Sequence, residues 1–433
     1  MTDIDRVMRH LDRDEVVELA LELGSIDSPS GEEHHVADRI EAWCRDEGFD
    51  ARRLRYDDGH AGNVLALHRG SGGGRSLLFN SHMDTAVRGG DRTYFADPDD
   101  PVFHTAWREG ESLMGIGLVN DKGPMAAWMV AAAAIRRAGI ELAGDLVLTM
   151  VTGEIGYEPV DEFQGPRWHG KDLGTRYVAT HGGVADFAVV AETTGFRSVW
   201  AEAGKAFLKV TVEGRPNGVY TPYLTRPYES AEEPNAVVRA ARLVPAIESW
   251  AVDWERRNTV ETPGGTVAPT VNVGAIRAGH PAQPILTPST CQLYLDVRLP
   301  PGATPLAAQA EVRDLLTRSG VPGQVDVYLF RRGYVAEGAE PLVRALAAAA
   351  EVEVGEVPPS PERPVSSSMW RDLNVFNEMG IPAVTFGPGG GTGGGNRGLL
   401  IDELVAAARI YARTALAICG GGNHAEPKEE SHP

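Results

Sequence analysis

Three separate runs of strand-forming residues in this chain each stop at a side chain able to hold a metal ion or move a proton. SLLFNSHMDT, from Ser76 to Thr85, delivers His82 and Asp84; LVLTMVTGEIG delivers Glu154; DFAVVAETTG delivers Glu192. An apolar run bounded by Gly-rich sequence reads as a buried strand. Open α/β sheets bind ligands beyond the carboxyl ends of their strands, so a placement repeated three times predicts one sheet with a site along one edge. A His ligand whose second nitrogen donates to a carboxylate is held in one tautomer and orientation, which is the chemistry His-x-Asp supplies. Taken alone, His-x-Asp also describes a polar pair capping a strand.

The pattern of elements predicts two domains, as expected for a chain of 433 residues. Residues 1–205 alternate helix and strand in the manner of a mostly parallel α/β sheet. Residues 206–332 change to strand, helix, strand, strand, helix, strand, the ferredoxin-like α+β order of a compact inserted domain. Residues 333–433 return to the first domain with a helix, the strand AVTFGPG and a last helix, and end in a tail in which His424 and His432 read as solvated rather than ligating.

A formal charge of −19 argues against nucleic acid and anionic membrane as partners. No apolar run reaches membrane-spanning length, and the charged, amphipathic amino terminus lacks a signal-peptide core. Three cysteines, Cys44, Cys291 and Cys419, are too few and too scattered for a disulfide framework or a thiolate metal site, which points to the cytoplasm.

In sequence order, HMDT at His82, GIGLVNDKG at Gly115–Gly123, GEIG at Gly153–Gly156, AETTG, LDVRLPPG at Leu295–Gly302 and GIPAVTFGPG at Gly380–Gly389 resemble the motifs of one family. It is the co-catalytic metallohydrolase family that includes aminoacylase, acetylornithine deacetylase, succinyl-diaminopimelate desuccinylase, carnosinase and carboxypeptidase G. The resemblance covers nearly the whole chain. It implies a two-metal centre held by a His, a bridging Asp, the second Glu of Glu-Glu, a later acid and a late His. Here His82, Glu154 and Glu192 match. The bridging Asp falls on Asn120, the general-base Glu on Gly153 and the late His on Gly393. The resemblance also implies a homodimer or higher homo-oligomer formed through the inserted domain.

A neutral carboxamide offsets the repulsion between two divalent ions poorly. The expectation is therefore one divalent ion, manganese or zinc, held by His82, Asn120 and Glu192. Asp121 would replace Asn120 only through a one-residue shift. Asp84 belongs to the catalytic set through His82. Glu154 is either the base that fills the place vacated at Gly153 or a ligand of the single ion. Arg298 matches an Arg that in some relatives binds a substrate carboxylate, and its alternative is an ordinary salt bridge. Tyr220 and Arg371 fall near the expected substrate cleft, as does Trp370.

These residues describe a metal-dependent C–N hydrolase acting on a small, carboxylate-bearing molecule. The edited centre resembles that of a member of the family's wider circle, which implies as the favoured expectation hydrolytic deamination of an activated aryl amine such as 5-nitroanthranilate to the hydroxy acid and ammonia. The alternatives are an amidohydrolase, deacylase or peptidase acting on N-acyl amino acids or dipeptides, and a catalytically silent relative that only binds.

Overall fold

A computed structural model of the chain describes residues 1–56, 62–86, 97–165, 168, 170–226, 232–357, 364–389 and 397–420. The chain divides into two compact units, one of Met1–Trp200, Ala336–Pro361 and Arg371–Pro433 and one of Ala201–Val335 and Glu362–Trp370. The expected boundaries at 205/206 and 332/333 therefore shift by a few residues. The cause is a short antiparallel pair, Ala201–Glu202 with Tyr334–Val335, which belongs to the second unit. The return of the chain around Ser367 to that unit is a correction to the sequence reading. Ala203 N donates to Ser367 O at 3.0 Å, and Ala268 N donates to Ser368 Oγ at 2.8 Å.

The first unit is built on a six-stranded sheet in the order Asp50–Arg55, Gly62–His68, Leu146–Val151, Leu77–His82, Phe187–Ala191, Ala383–Phe386. The last four strands pair in parallel, and the first two are added antiparallel. Successive side chains of a strand point to opposite faces, and here both faces are covered. Leu77, Phe79, Leu148, Met150 and Val189 enter one core, which includes the helices Arg13–Gly24, Gly123–Arg137 and Ile401–Cys419. Leu78, Val147, Val151 and Val190 enter the core on the opposite face. Burial on both faces explains why these strands read as continuous apolar runs rather than as alternating ones.

A smaller antiparallel sheet joins Trp107–Glu109, Ser112–Met114 and Gly398–Leu400. It ties the late return of the chain to the turn before Asn120, where Gly115 N donates to Arg397 O at 2.7 Å. Sequence reading did not foresee it, because its strands are three residues long. No described helix is long and apolar enough to cross a membrane, and all three cysteines are buried and free.

The second unit has the antiparallel sheet Val271–Ala278, Thr290–Leu299, Gly204–Glu213, Gly323–Arg331. Its helices Ala236–Asn258 and Leu306–Arg318 place Leu243, Ile247, Trp250 and Val312 in one core with Leu208, Val210, Leu293 and Leu295. The first and third strands in chain order are the central pair, which is the ferredoxin-like arrangement.

Phe79 is fully buried between the Trp128 ring, stacked at 5.9 Å between centroids, and the edge of Tyr411 at 5.4 Å. Phe79→Ala leaves a cavity there and should destabilise the chain by roughly 3–5 kcal/mol in denaturant unfolding. Val352→Ala on an exposed helix face should stay within about 0.5 kcal/mol of the wild type.

Candidate metal centre

The strand Leu77–His82 ends on His82, and Asp84 follows at the same sheet edge. Asp84 is fully buried and accepts from four donors: Ser30 Oγ at 2.7 Å, Glu154 N at 3.1 Å, Ile155 N at 3.0 Å and Gly156 N at 3.3 Å. His82 Nδ1 lies 3.3 Å from Asp84 Oδ1 and 3.0 Å from its backbone carbonyl. Burial alone would push this carboxyl up. The His82 ring, Ser30 and Lys171 outweigh it and hold Asp84 at about 2. The aspartate therefore fixes the ring and the GEIG turn together. Its role is positioning, since its oxygens are committed to those donors.

With Nδ1 turned to Asp84, His82 presents Nε2 to the site. Asn120 Oδ1 lies 3.2 Å away and Glu192 Oε1 lies 4.0 Å away. Asn120 sits in a wide helical turn, Leu118–Lys122, that leaves helical geometry at this residue (φ −134°, ψ 83°), and the peptide bond to Asp121 is cis. Glu192 directly follows the strand Phe187–Ala191, and its Oε2 lies 3.3 Å from Arg371 Nε. Glu154 is also buried at the sheet edge.

Asp121 is buried, and neither carboxylate oxygen has a hydrogen-bond partner of good geometry among the described residues. Ser81 acts weakly in favour of the anion, but its hydroxyl donates to Ala191 O. Burial and the Glu192 charge raise the Asp121 carboxyl well above the usual range. Glu192 is raised by burial, with Arg371 and His82 opposing. Asp372, which accepts from Asn80 Nδ2 at 3.2 Å, is pushed up to about 8 by burial and by Glu154. His82 is raised well above its ordinary value, because Asp84, Glu154 and Asp121 outweigh its burial.

These shifts have one origin: carboxyls gathered out of water with too little positive charge between them. Among the described residues no three His, Cys, Asp or Glu side chains form a ready metal cage. The donor set instead includes an amide, Asn120. His82 Nε2 faces an acceptor oxygen at hydrogen-bond distance, and Asp121 is buried with no hydrogen-bond partner of good geometry among the described residues. A divalent cation meets both needs, so the residues present fit a metal ion held by His82, Asn120 and Glu192, with Asp121 beside them.

Sequence reading kept Asp121 only as an alternative ligand reached by a one-residue shift, because neighbouring side chains point differently. The break in the helix at Asn120 removes that ground, for both residues act on His82. Sequence reading missed Asp372, and Glu33, which is buried and pushed to about 8 by burial and the Asp84 charge. Neither lies within or beside a quoted motif, so the sequence offered no signal for them. Gly153, at the expected base position, has φ 71°, and among the described residues a Cβ there would meet Gly170 O at 3.8 Å. That backbone conformation suits glycine.

Arg298 and Tyr220 belong to the second unit. Arg298 Nη2 pairs with Asp296 on its own strand at 2.9 Å, the salt bridge that was its alternative reading. Tyr220 is half-exposed beside Tyr223. Trp370 donates to Arg332 O at 3.3 Å and lies under the Lys205 ammonium within that same unit. Gly393, His424 and His432 lie outside the described residues.

Asp372 binds a proton in the folded, metal-free chain that the unfolded chain releases near 3.8. Native protein thus holds more protons between pH 3.8 and about 8, and stability falls as pH rises through that window, by up to ~1.4 kcal/mol per pH unit for one such group. Asp372→Asn keeps an acceptor for Asn80 and stays neutral. It should flatten the decline in melting temperature of metal-stripped protein between pH 5 and pH 8, two points inside that window; an unchanged slope would remove Asp372 as its source.

Residues 78–417 match peptidase family M20/M25/M40. The chain is 26% identical over 448 residues to N-formyl-4-amino-5-aminomethyl-2-methylpyrimidine deformylase of Bacillus subtilis, covering 94% of this chain and 95% of that one. It is 26% identical over 402 residues to acetylornithine deacetylase of Myxococcus xanthus, covering 89% and 92%. Its fold is shared by a dinuclear metal-binding peptidase of the M20 family from Bacillus subtilis, with TM-score 0.59, 13% identity and coverage of 94% and 98%. A match across most of the chain and acids gathered around His82 lead to one assignment: the chain belongs to peptidase family M20/M25/M40, whose metal-dependent members cleave amide bonds.

Proposed function

We propose that this chain hydrolyses an amide bond in a small, carboxylate-bearing N-acyl compound or dipeptide, using one divalent ion, manganese or zinc. The observation that carries the reading is the convergence of Asn120 Oδ1 and Glu192 Oε1 on His82 Nε2. A neutral amide stands there where the family pattern has a bridging acid. The relatives support an amide substrate, since the deformylase and the deacetylase are both named for removing an acyl group. Deamination of an aryl amine, the first expectation, finds no support among these relatives. The dimer expected through the second unit remains part of the proposal.

A divalent ion, when bound, supplies positive charge at a carbonyl oxygen and acidifies a water. The chain's own residues do the rest. Asp84 fixes the Nδ1 side of His82 and so aims Nε2 into the site. The same carboxylate grips the backbone of Glu154, Ile155 and Gly156, which sets where the Glu154 side chain begins. Glu154 takes a proton from the attacking water and returns it to the leaving nitrogen. One water is consumed, the C–N bond breaks, and a carboxylic acid and an amine are released. Arg298 and Tyr220 are candidates for contact with the substrate carboxylate.

Three outcomes follow. Glu154→Gln should lower turnover by roughly the hundredfold to ten-thousandfold typical of losing general acid–base help while metal content per chain stays near that of the wild type; metal lost in step with activity would make Glu154 a ligand. In a panel of N-formyl and N-acetyl amino acids, dipeptides and 5-nitroanthranilate, the amide compounds should be hydrolysed. Turnover of 5-nitroanthranilate alone, with ammonia released, would return the function to deamination. His82→Ala and Glu192→Ala should each empty the centre, as measured by elemental analysis.

A further inference from the structure

Arg371 brings a permanent charge into the centre that none of the steps above uses. Its side chain and that of Glu192 are only 6% and 7% exposed, and Nε lies 3.3 Å from Glu192 Oε2. The other oxygen of the same carboxylate, Oε1, lies 4.0 Å from His82 Nε2. Glu192 is thus spanned by the ring that faces the proposed ion on one side and by a guanidinium on the other. A guanidinium does not give up its proton in a protein, and charges interact strongly in a buried setting. It therefore neutralises Glu192 and repels a further cation at the same time.

The remaining residues agree with a centre provided for one mobile cation and one fixed cation. The bridging position carries a neutral amide, Asn120, and Gly153 carries no side chain at all. Asp372, directly after Arg371, is buried against Asn80. It anchors the segment that carries the guanidinium, at the start of the helix Leu373–Glu378.

We infer that Arg371 stands in for the charge of a second metal ion and limits the centre to one divalent cation. The inference rests on the single-ion reading above, and the test separates the two. Full-length protein stripped of metal is dialysed against Mn²⁺ and metal per chain is measured for the wild type, Arg371→Lys, Arg371→Met and Arg371→Gln. Circular dichroism confirms folding. The expected result is one equivalent in the wild type and in the lysine variant, with a second equivalent in the folded neutral variants bound at least tenfold more tightly than any second ion in the wild type. Melting temperature should rise at that second equivalent in the neutral variants alone. One equivalent in the folded neutral variants overturns the role of Arg371 and leaves the single-ion reading standing. Two equivalents in the wild type overturn both. Failure of both neutral variants to fold even with excess Mn²⁺ also overturns it, since a second ion would then be no substitute for the guanidinium.

Discussion

The buried carboxylate of Asp84 is the interaction on which the rest of the centre depends. It lies where the end of the strand Leu77–His82 meets the turn after Leu146–Val151, and it binds both: the His82 ring on one side, the amides of Glu154, Ile155 and Gly156 on the other. A buried anion is tolerated only where hydrogen bonds and charge offset its lost hydration. Here backbone amides, the Ser30 hydroxyl and the His82 ring do so. One consequence is geometric, because the ring and the turn that bears Glu154 cannot move independently. The other is electrostatic, because an ionised Asp84 strengthens the positive character of His82 amid neighbouring acids.

Those acids give the centre its chemical tension. Asp121, Glu192 and Asp372 are each driven toward the protonated form by burial, and carboxyls nearby add to it. A protein site of this kind is incomplete without cationic charge. Where the family pattern would have a bridging aspartate, this chain has a carboxamide, and a guanidinium lies against the later acid ligand. A bridging anion and a second metal go together, so removing the first and adding a fixed cation act in the same direction.

Much of this was legible in the order of residues. Strands buried on both faces read as apolar runs, so the ends that carry His82, Glu154 and Glu192 could be placed from sequence. The antiparallel unit was legible because its strands and helices alternate in a recognised order. What stayed hidden depends on contacts between distant segments. Nothing in SSSMWRDLNVF says that Arg371 meets Glu192 or that Trp370 belongs to the other unit. Asp121 was held to a one-residue shift because neighbouring side chains ordinarily point differently, and the local break at Asn120 is not visible in the residues. Arg298 was singled out by motif, yet a motif does not show that Asp296 lies within 2.9 Å.

The central claim is that the centre holds one divalent ion beside a protein cation, and electron paramagnetic resonance of Mn²⁺-reconstituted wild-type protein tests it most directly. The account predicts the hyperfine pattern of an isolated Mn²⁺, unchanged in form as more than one equivalent is added. An exchange-coupled spectrum, with the halved hyperfine spacing of two neighbouring Mn²⁺ ions, would contradict it.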